Sequence, residues 1–179
     1  MRFSVQELQS LAKNLRQTIL KMITLAKNGH PGGSLSAIDI ILELYKNELK
    51  HDAKNPHWPE RDRFVLSKGH GVPALYSVLA NCGYFKESEL FTLRKLGSPL
   101  QGHPANRLLP SIEASTGSLG QGLSVALGMA MAAKLGTTSS RWNVYALLGD
   151  GELQEGQIWE AALCAARYKA GNLIAFVDR

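Results

Sequence analysis

An acidic residue between two glycines is the first candidate for chemistry in this sequence. An apolar run from Val144 to Leu148 stops at Gly149-Asp150-Gly151, and a helix-like pattern follows. The carboxylate of Asp150 is a hard oxygen ligand of the kind that Mg²⁺ prefers. Glycines permit a sharp turn and a close approach of the backbone to a ligand, and amide groups at the start of a helix can receive an anion. The motif therefore predicts a site for a metal ion together with a diphosphate.

Three histidines stand beside glycine or proline in short turns and are candidates for proton transfer. They occur in Gly29-His30-Pro31-Gly32, in Lys68-Gly69-His70-Gly71 and in Gly102-His103-Pro104. An imidazole titrates near pH 6.5, so it exchanges protons at neutral pH. The residues alone leave a second interpretation open, in which each histidine is a structural residue of its loop. His51 and His57 lie in a polar loop and are assigned no role.

Two glutamates, Glu155 and Glu160, follow the acidic turn and fall early in the helix predicted there. Acidic residues in the first turn of a helix often only complement the helix dipole. A functional role and this structural role are both open at this stage.

Elements that could hold these motifs alternate along the chain. Strand-like runs cover residues 63–67, 111–115, 144–148 and 172–178. A first helix begins at the capping box Ser4-Val5-Gln6-Glu7 and is expected to end at Asn28-Gly29. Further helices are predicted after the glycine-rich stretch 29–36, over 72–79, 87–96 and 123–135, and after the acidic turn. The pattern predicts an α/β fold with a mostly parallel sheet flanked by helices, whose turns at the carboxyl ends of the strands meet at the ligand-binding edge.

Composition narrows the class of protein. The 179 residues are 45% apolar, the net charge is +5 and the basic residues are scattered, which fits one globular domain over 1–179 and argues against nucleic-acid binding. Cys82 and Cys164 lie in apolar contexts and are expected to be buried free thiols. An apolar run of roughly 18 residues, the length that spans a membrane, does not occur. We therefore expect a cytoplasmic protein with no membrane partner.

Five ordered stretches together resemble the N-terminal half of transketolases, from about Leu8 to Arg179. The resemblance extends in particular to the N-terminal subunit of split transketolases, in which two polypeptides share the usual single chain. The stretches are Gly29-His30-Pro31-Gly32, Ser67-Lys68-Gly69-His70, Gly102-His103-Pro104, Gly117-Ser118-Leu119-Gly120-Gln121-Gly122, and Gly149-Asp150-Gly151 with Glu155-Gly156.

The resemblance implies a thiamine diphosphate and Mg²⁺ site at the acidic turn. Asp150 resembles the Mg²⁺ ligand, while Gly149 and the amide of Gly151 are similar to the residues near the diphosphate. His70 resembles the histidine beside the diphosphate and the reacting ring of the cofactor.

The resemblance also implies roles for the remaining candidates. His30 and His103 are similar to histidines that bind the carbonyl and hydroxyl groups of the sugar and transfer protons. Gly117, Ser118 and Leu119 match the stretch along the aminopyrimidine. Glu155 is similar to a carboxylate of the glutamate network that connects two active sites, and Glu160 is a second position for that network.

The implied activity is the transfer of a two-carbon glycolaldehyde unit from a ketose phosphate to an aldose phosphate, in pentose phosphate metabolism. A pyrimidine-binding partner polypeptide would complete the enzyme as a homodimer or a heterotetramer. Because a second metal ligand of the family lies just past the strand that ends at Asp178-Arg179, we expect the domain to be truncated at its C-terminus and the 179-residue chain to be inactive alone.

Two alternatives remain. The first is another thiamine diphosphate enzyme, such as a deoxyxylulose-phosphate synthase or a 2-oxoacid dehydrogenase; the second is a non-catalytic phosphate-binding or assembly domain. His30 and His103, each in a Gly-His-Pro turn, favour the transketolase type because they suit a polyol substrate.

Overall fold

The protein, described by a computed structural model over residues 2–135 and 142–179, is built on a parallel sheet. Three strands, β1 (Arg63–Leu66), β2 (Val144–Gly149) and β3 (Leu173–Asp178), lie in the order β1-β2-β3, and both pairs are parallel. Gly149 pairs with Asp178, so the ends of β2 and β3 lie side by side. The predicted α/β fold with a parallel sheet is confirmed.

Among the residues that the structure describes, five α-helices surround the sheet. They are α1 (Val5–Ala26), α2 (Pro31–Glu43), α3 (Val72–Asn81), α4 (Gln121–Leu135) and α5 (Gly156–Arg167). A π-helical turn, Leu44–Glu48, extends α2, and 3-10 turns occupy Gly69–Gly71, Glu87–Thr92 and Asp150–Gln154. Within residues 2–135 and 142–179, none of the helices combines the length and apolar character needed to cross a membrane.

The core has two parts because successive strand residues point to opposite faces of the sheet. Tyr145 and Leu147 of β2 pack on the side of α1, α2 and α3. Val144, Ala146 and Leu148 pack on the side of α4 and α5. β2 is therefore buried on both faces, which explains its continuous apolar sequence.

The ends of α1 confirm one expectation and correct another. Ser4 and Glu7 form the predicted capping box, in which the Glu7 carboxylate accepts the Ser4 amide at 2.8 Å. The helix does not end on a glycine, however. Lys27 takes the left-handed cap conformation, with φ of 52°, and its amide bonds to the carbonyl of Thr24.

Two predicted elements are absent from the described residues. Residues 111–115 form no strand, because their polar side chains bond to other loops instead of a ladder: Glu113 pairs with Arg61, and Ser115 with Asn106. Residues 87–96 form only the 3-10 turn Glu87–Thr92, after which Arg94 adopts a left-handed backbone with φ of 60°.

The two cysteines are free thiols, as expected, but both are partly exposed and neither is fully buried. The environment of His51 also differs from the solvent-exposed polar loop that the sequence indicates. It is partly buried, stacks on Tyr84 and contacts the hydroxyl of Tyr84 and the carbonyl of Tyr45, which is a structural role.

Candidate active site

The motifs meet at the carboxyl edge of the sheet, as predicted for a parallel α/β fold. The segment after β1 carries His70, the segment after β2 carries Asp150, and the turn between α1 and α2 carries His30. A cleft of about 290 Å³ opens there. Its lining consists of Gly33, Ser36, Lys68, His70, Leu119, Gly149, Asp150, Gly151, Glu152, Asp178 and Arg179.

His30 lies next to His70 but is not among the residues that line this cleft. Their ring centroids are 5.3 Å apart in an edge-to-face arrangement. The backbone of Gly33 packs directly on His70, since a Cβ at Gly33 would lie 3.0 Å from the His70 ring. Burial lowers the pKa of His70, and the positive charge of Lys68 lowers it further. His70 is therefore a neutral imidazole at pH 7, with one donor and one acceptor nitrogen.

His103 is exposed and lies against the glycine-rich turn that precedes α4. A Cβ at Gly117 would lie 3.0 Å from the His103 ring, and Gly117 has φ of +148°, so this position suits glycine. The hydroxyl of Tyr76 donates to the carbonyl of Gln101 at 3.1 Å and fixes the preceding residues. Partial burial lowers the pKa of His103, and the charges of Arg94 and His30 lower it further.

Asp150 follows the last residue of β2 and exposes its carboxylate at the cleft. Its Oδ1 accepts the amide of Gly151 at 2.9 Å. The turn Asp150–Gln154 is a 3-10 helix, and α5 begins only at Gly156, so the expectation that the acidic turn opens the α-helix directly is wrong. The bend comes from Glu152, which turns back toward β2 and captures the Gly149 amide.

Glu152 is a central residue that the sequence interpretation missed. It is 1% exposed, and its carboxylate accepts the hydroxyl of Ser67 at 2.6 Å and the amides of Gly120 and Gly149 at 2.8 and 2.9 Å. These donors come from the segment after β1, the glycine-rich turn before α4, and the end of β2. The sequence signal that could have revealed Glu152 is its position three residues after Gly149, as in a capping box.

A buried ion pair, Lys68 with Asp178, was also missed. Lys68 Nζ lies 2.5 Å from Asp178 Oδ2, and both side chains are about one-twentieth exposed. The hydroxyl of Ser36 donates to the same oxygen at 2.7 Å. Lys68 follows one predicted strand, and Asp178 ends another. Only the order of the strands in the sheet shows that these strands, β1 and β3, lie on either side of β2.

The other predicted site residues separate into two groups. Leu119 lines the cleft, and its neighbour Ser118 is exposed in the same turn. Glu155 is the N-terminal cap residue of α5, has an extended backbone and is not among the residues that line the cleft. Its Cβ lies 2.9 Å from the position that a Cβ on Gly120 would take. Glu160 is exposed on α5, also away from the cleft lining.

The metal site is incomplete if only protein side chains are counted. Nowhere among the described residues do three or more His, Cys, Asp or Glu side chains form a group that could hold a metal ion. Asp150 presents one hard oxygen ligand beside Gly151, where a Cβ would meet nothing within 4 Å. This arrangement fits a metal ion that brings its own diphosphate oxygens, because Mg²⁺ commonly binds through one or two carboxylates plus phosphates and water.

Fold and site define a class of parallel α/β domains whose ligand lies at the carboxyl edge of the sheet. The family model described as "Transketolase, thiamine diphosphate binding domain" matches residues 8–179. The chain belongs to this family, and thiamine diphosphate is the cofactor of its class of domain. The resemblance drawn from the five motifs is thereby confirmed.

Relatives include parts of split enzymes. The chain is 47% identical to the 6-deoxy-6-sulfo-D-fructose transketolase subunit SqwG of Clostridium sp. (strain MSTE9) over 172 residues, which cover 96% of this chain and 62% of that protein. It is 44% identical to one of the subunits of the apulose-4-phosphate transketolase of Actinobacillus succinogenes, covering 98% of this chain and 63% of that protein.

Solved transketolases have the same fold. The structure from Campylobacter jejuni superposes with a TM-score of 0.90 at 39% identity, covering 98% of this chain and 28% of that one. The chain thus spans less than two thirds of the length of these relatives.

Proposed function

We propose that this chain is the diphosphate-binding part of a transketolase that transfers a two-carbon glycolaldehyde unit from a ketose phosphate to an aldose phosphate. One observation carries the proposal. An exposed carboxylate between two glycines, Asp150, lines the same cleft as His70, with His30 only 5.3 Å from His70 between ring centroids. The groups proposed for metal-diphosphate binding and for proton transfer therefore lie at one edge of the sheet.

Asp150 is proposed as the protein ligand of Mg²⁺, with Gly149 and Gly151 bordering the diphosphate. The Gly151 amide now bonds to Asp150 Oδ1 at 2.9 Å. If the carboxylate turns to a metal ion, this amide becomes available to a phosphate oxygen. The exposed position of Asp150 leaves room for that rotation.

Thiamine diphosphate, when bound, supplies the carbon centre that carries the two-carbon unit. The chain's own residues bind and orient the reactants. His30 and His103 are exposed imidazoles that are proposed to bind the sugar's oxygens and exchange protons with them. His70, neutral at pH 7 because burial lowers its pKa, is proposed to offer a hydrogen bond beside the cofactor. Gly117, Ser118 and Leu119 are proposed to border the aminopyrimidine.

A second polypeptide is proposed to complete the enzyme, as a homodimer or heterotetramer. Trp159 and Leu163 of α5 are 58% and 73% exposed, and the neighbouring Glu155 and Glu160 are exposed too. An apolar face of this kind is suited to burial against a partner, and a glutamate network to the partner's site would begin there. The partially exposed free thiols support a reducing compartment, so we propose the cytoplasm.

A transfer assay tests this function. The complete protein is combined with its pyrimidine-binding partner, thiamine diphosphate and Mg²⁺, and is offered pentose phosphates or pyruvate. We expect two-carbon transfer between pentose phosphates, none with either polypeptide alone and none without the cofactor. Turnover of pyruvate instead would favour a different thiamine diphosphate enzyme. Turnover by the 179-residue chain alone would contradict the need for a partner.

A further inference from the structure

The side chain of Arg94 lies against the turn that carries His103. Its two terminal nitrogens are each 2.6 Å from the position that a Cβ on Gly102 would take, so the guanidinium packs against the α-carbon of that glycine. One of these nitrogens donates to the carbonyl of Gly102 at 3.4 Å, which is long for a hydrogen bond. The glycine therefore makes room for the guanidinium, and a larger residue there would push it away from the turn.

The backbone fixes Arg94 in this place. Arg94 has φ of 60°, a left-handed conformation that is unfavourable for a residue with a side chain. Its amide donates to the carbonyl of Leu100 at 2.8 Å, and Leu93 and Leu100 are almost completely buried. Strained residues of this kind persist where the surrounding structure holds them, and they are common at functional sites. The core thus gives the arginine side chain a fixed origin beside the Gly102-His103-Pro104 turn.

The charge of Arg94 has no carboxylate partner in the described part of the chain. None of the ion pairs found there includes it, although its side chain is only partly exposed. A guanidinium has five N–H donors, and the long contact with the turn uses one of them. The charge also reaches His103: burial lowers the pKa of this histidine most, Arg94 is the next cause, and His30 follows. The neutral imidazole is therefore the form that this environment favours.

We infer that Arg94 is the positioning residue of His103. The inference rests on the proposed function, in which His103 binds an oxygen of the sugar. Arg94 supports the turn through Gly102 and opposes a second positive charge at His103. The imidazole then keeps an acceptor nitrogen for a sugar hydroxyl, which an imidazolium lacks. Because Arg94 is not among the residues that line the cofactor cleft, we expect it to act on sugar binding and not on cofactor binding.

The test separates the charge of Arg94 from its contact with the turn. Arg94→Met removes the charge and keeps an unbranched stem, whereas Arg94→Lys keeps both. Gly102→Ala leaves every charge in place and displaces only the guanidinium, since the added Cβ would overlap it. Lys95→Met, at the adjacent exposed lysine, is the matched control for the change in net charge. Each variant is prepared as the complete protein with its pyrimidine-binding partner, and its affinity for thiamine diphosphate at saturating Mg²⁺ should equal that of the wild type.

Two readouts are compared, the pKa of His103 and the KM of the ketose phosphate. NMR titration of the histidine ring protons gives the pKa, and His103→Gln identifies the signal by its loss. We expect Arg94→Met and Gly102→Ala to raise the pKa of His103 and to raise KM by about 10-fold, the value of one well-placed hydrogen bond. Arg94→Lys should restore most of both properties, and Lys95→Met should match the wild type.

Two outcomes would overturn the inference. An unchanged pKa of His103 in both Arg94→Met and Gly102→Ala would mean that the guanidinium only packs against the loop. A raised pKa with an unchanged KM would mean that the state of His103 does not affect sugar binding. Absence of two-carbon transfer by the wild-type enzyme would instead refute the proposed function. The pKa measurement needs no substrate, so it distinguishes that result from a failure of the coupling between Arg94 and His103.

Discussion

The position of the His70 ring depends on Gly33, a neighbour that has no side chain. A Cβ on Gly33 would lie 3.0 Å from the His70 ring, whereas a Cβ on the adjacent Gly32 would meet nothing within 4 Å. Gly33→Ala should therefore displace the imidazole and slow the proposed two-carbon transfer by about 10- to 100-fold, since small misplacements at a site are costly. Gly32→Ala is the matched control and should keep the transfer rate while stabilising α2 by up to about 1 kcal/mol. Equal rates in the two variants would contradict this account of His70.

The same histidine should make stability depend on pH. Burial and Lys68 hold the pKa of His70 below its ordinary value of 6.5, so between its folded pKa and about 6.5 the unfolded chain binds more protons than the folded protein. The stabilisation is then fully present above about pH 6.5 and is lost as pH falls through the folded pKa. Urea unfolding of the complete protein at a series of pH values should show a shallower acid-side slope for His70→Gln than for the wild type. An identical slope would mean that His70 is not held neutral.

At the scale of elements, Glu152 connects three segments that the chain brings together at the sheet edge. Its carboxylate accepts bonds from Ser67, Gly120 and Gly149, one from each segment. In Glu152→Gln, the new amide group must face at least one of these donors, which should cost about 1–3 kcal/mol of unfolding free energy. Thiamine diphosphate binding should weaken as well, because the segments bordering it lose their common anchor.

The control for this variant is Glu87→Gln, at an exposed glutamate of the Glu87–Thr92 turn. Its unfolding free energy should lie within about 0.5 kcal/mol of the wild type. Denaturant titration of both variants checks the prediction, and equal stability of the two would show that Glu152 does not anchor the segments.

Local patterns in the sequence predicted β1, β2, β3 and the α/β class, because apolar runs and glycine turns are properties of neighbouring residues. They failed where distant partners decide the structure. Residues 111–115 have a strand-like composition, yet the pairing of Glu113 with Arg61 holds them in a loop. Lys68 and Asp178 are 110 positions apart in sequence, so no local pattern could join them.

For the molecule as a whole, His70, Asp150 and Leu119 share one cleft, while Glu155 and Glu160 lie outside its lining. Glu160 lies on α5 with the exposed side chains of Trp159 and Leu163, and Glu155 is the cap residue that precedes this helix. This separation agrees with the proposal that the domain binds its cofactor at one edge and a partner on a neighbouring face. The sequence predicted the members of both groups, but their separation follows from the 3-10 turn Asp150–Gln154 that offsets α5 from β2.

The most direct test of the central claim is Mg²⁺-dependent binding of thiamine diphosphate to the complete protein and to its Asp150→Ala variant. Calorimetric titration should show tight binding by the wild type that is lost when Mg²⁺ is chelated, and no Mg²⁺-dependent binding by the variant. Asp39→Asn, at an exposed carboxylate of α2 that pairs with Arg16, is the control and should bind as the wild type does. Unchanged affinity in Asp150→Ala would contradict the assignment of this cleft as the metal-diphosphate site.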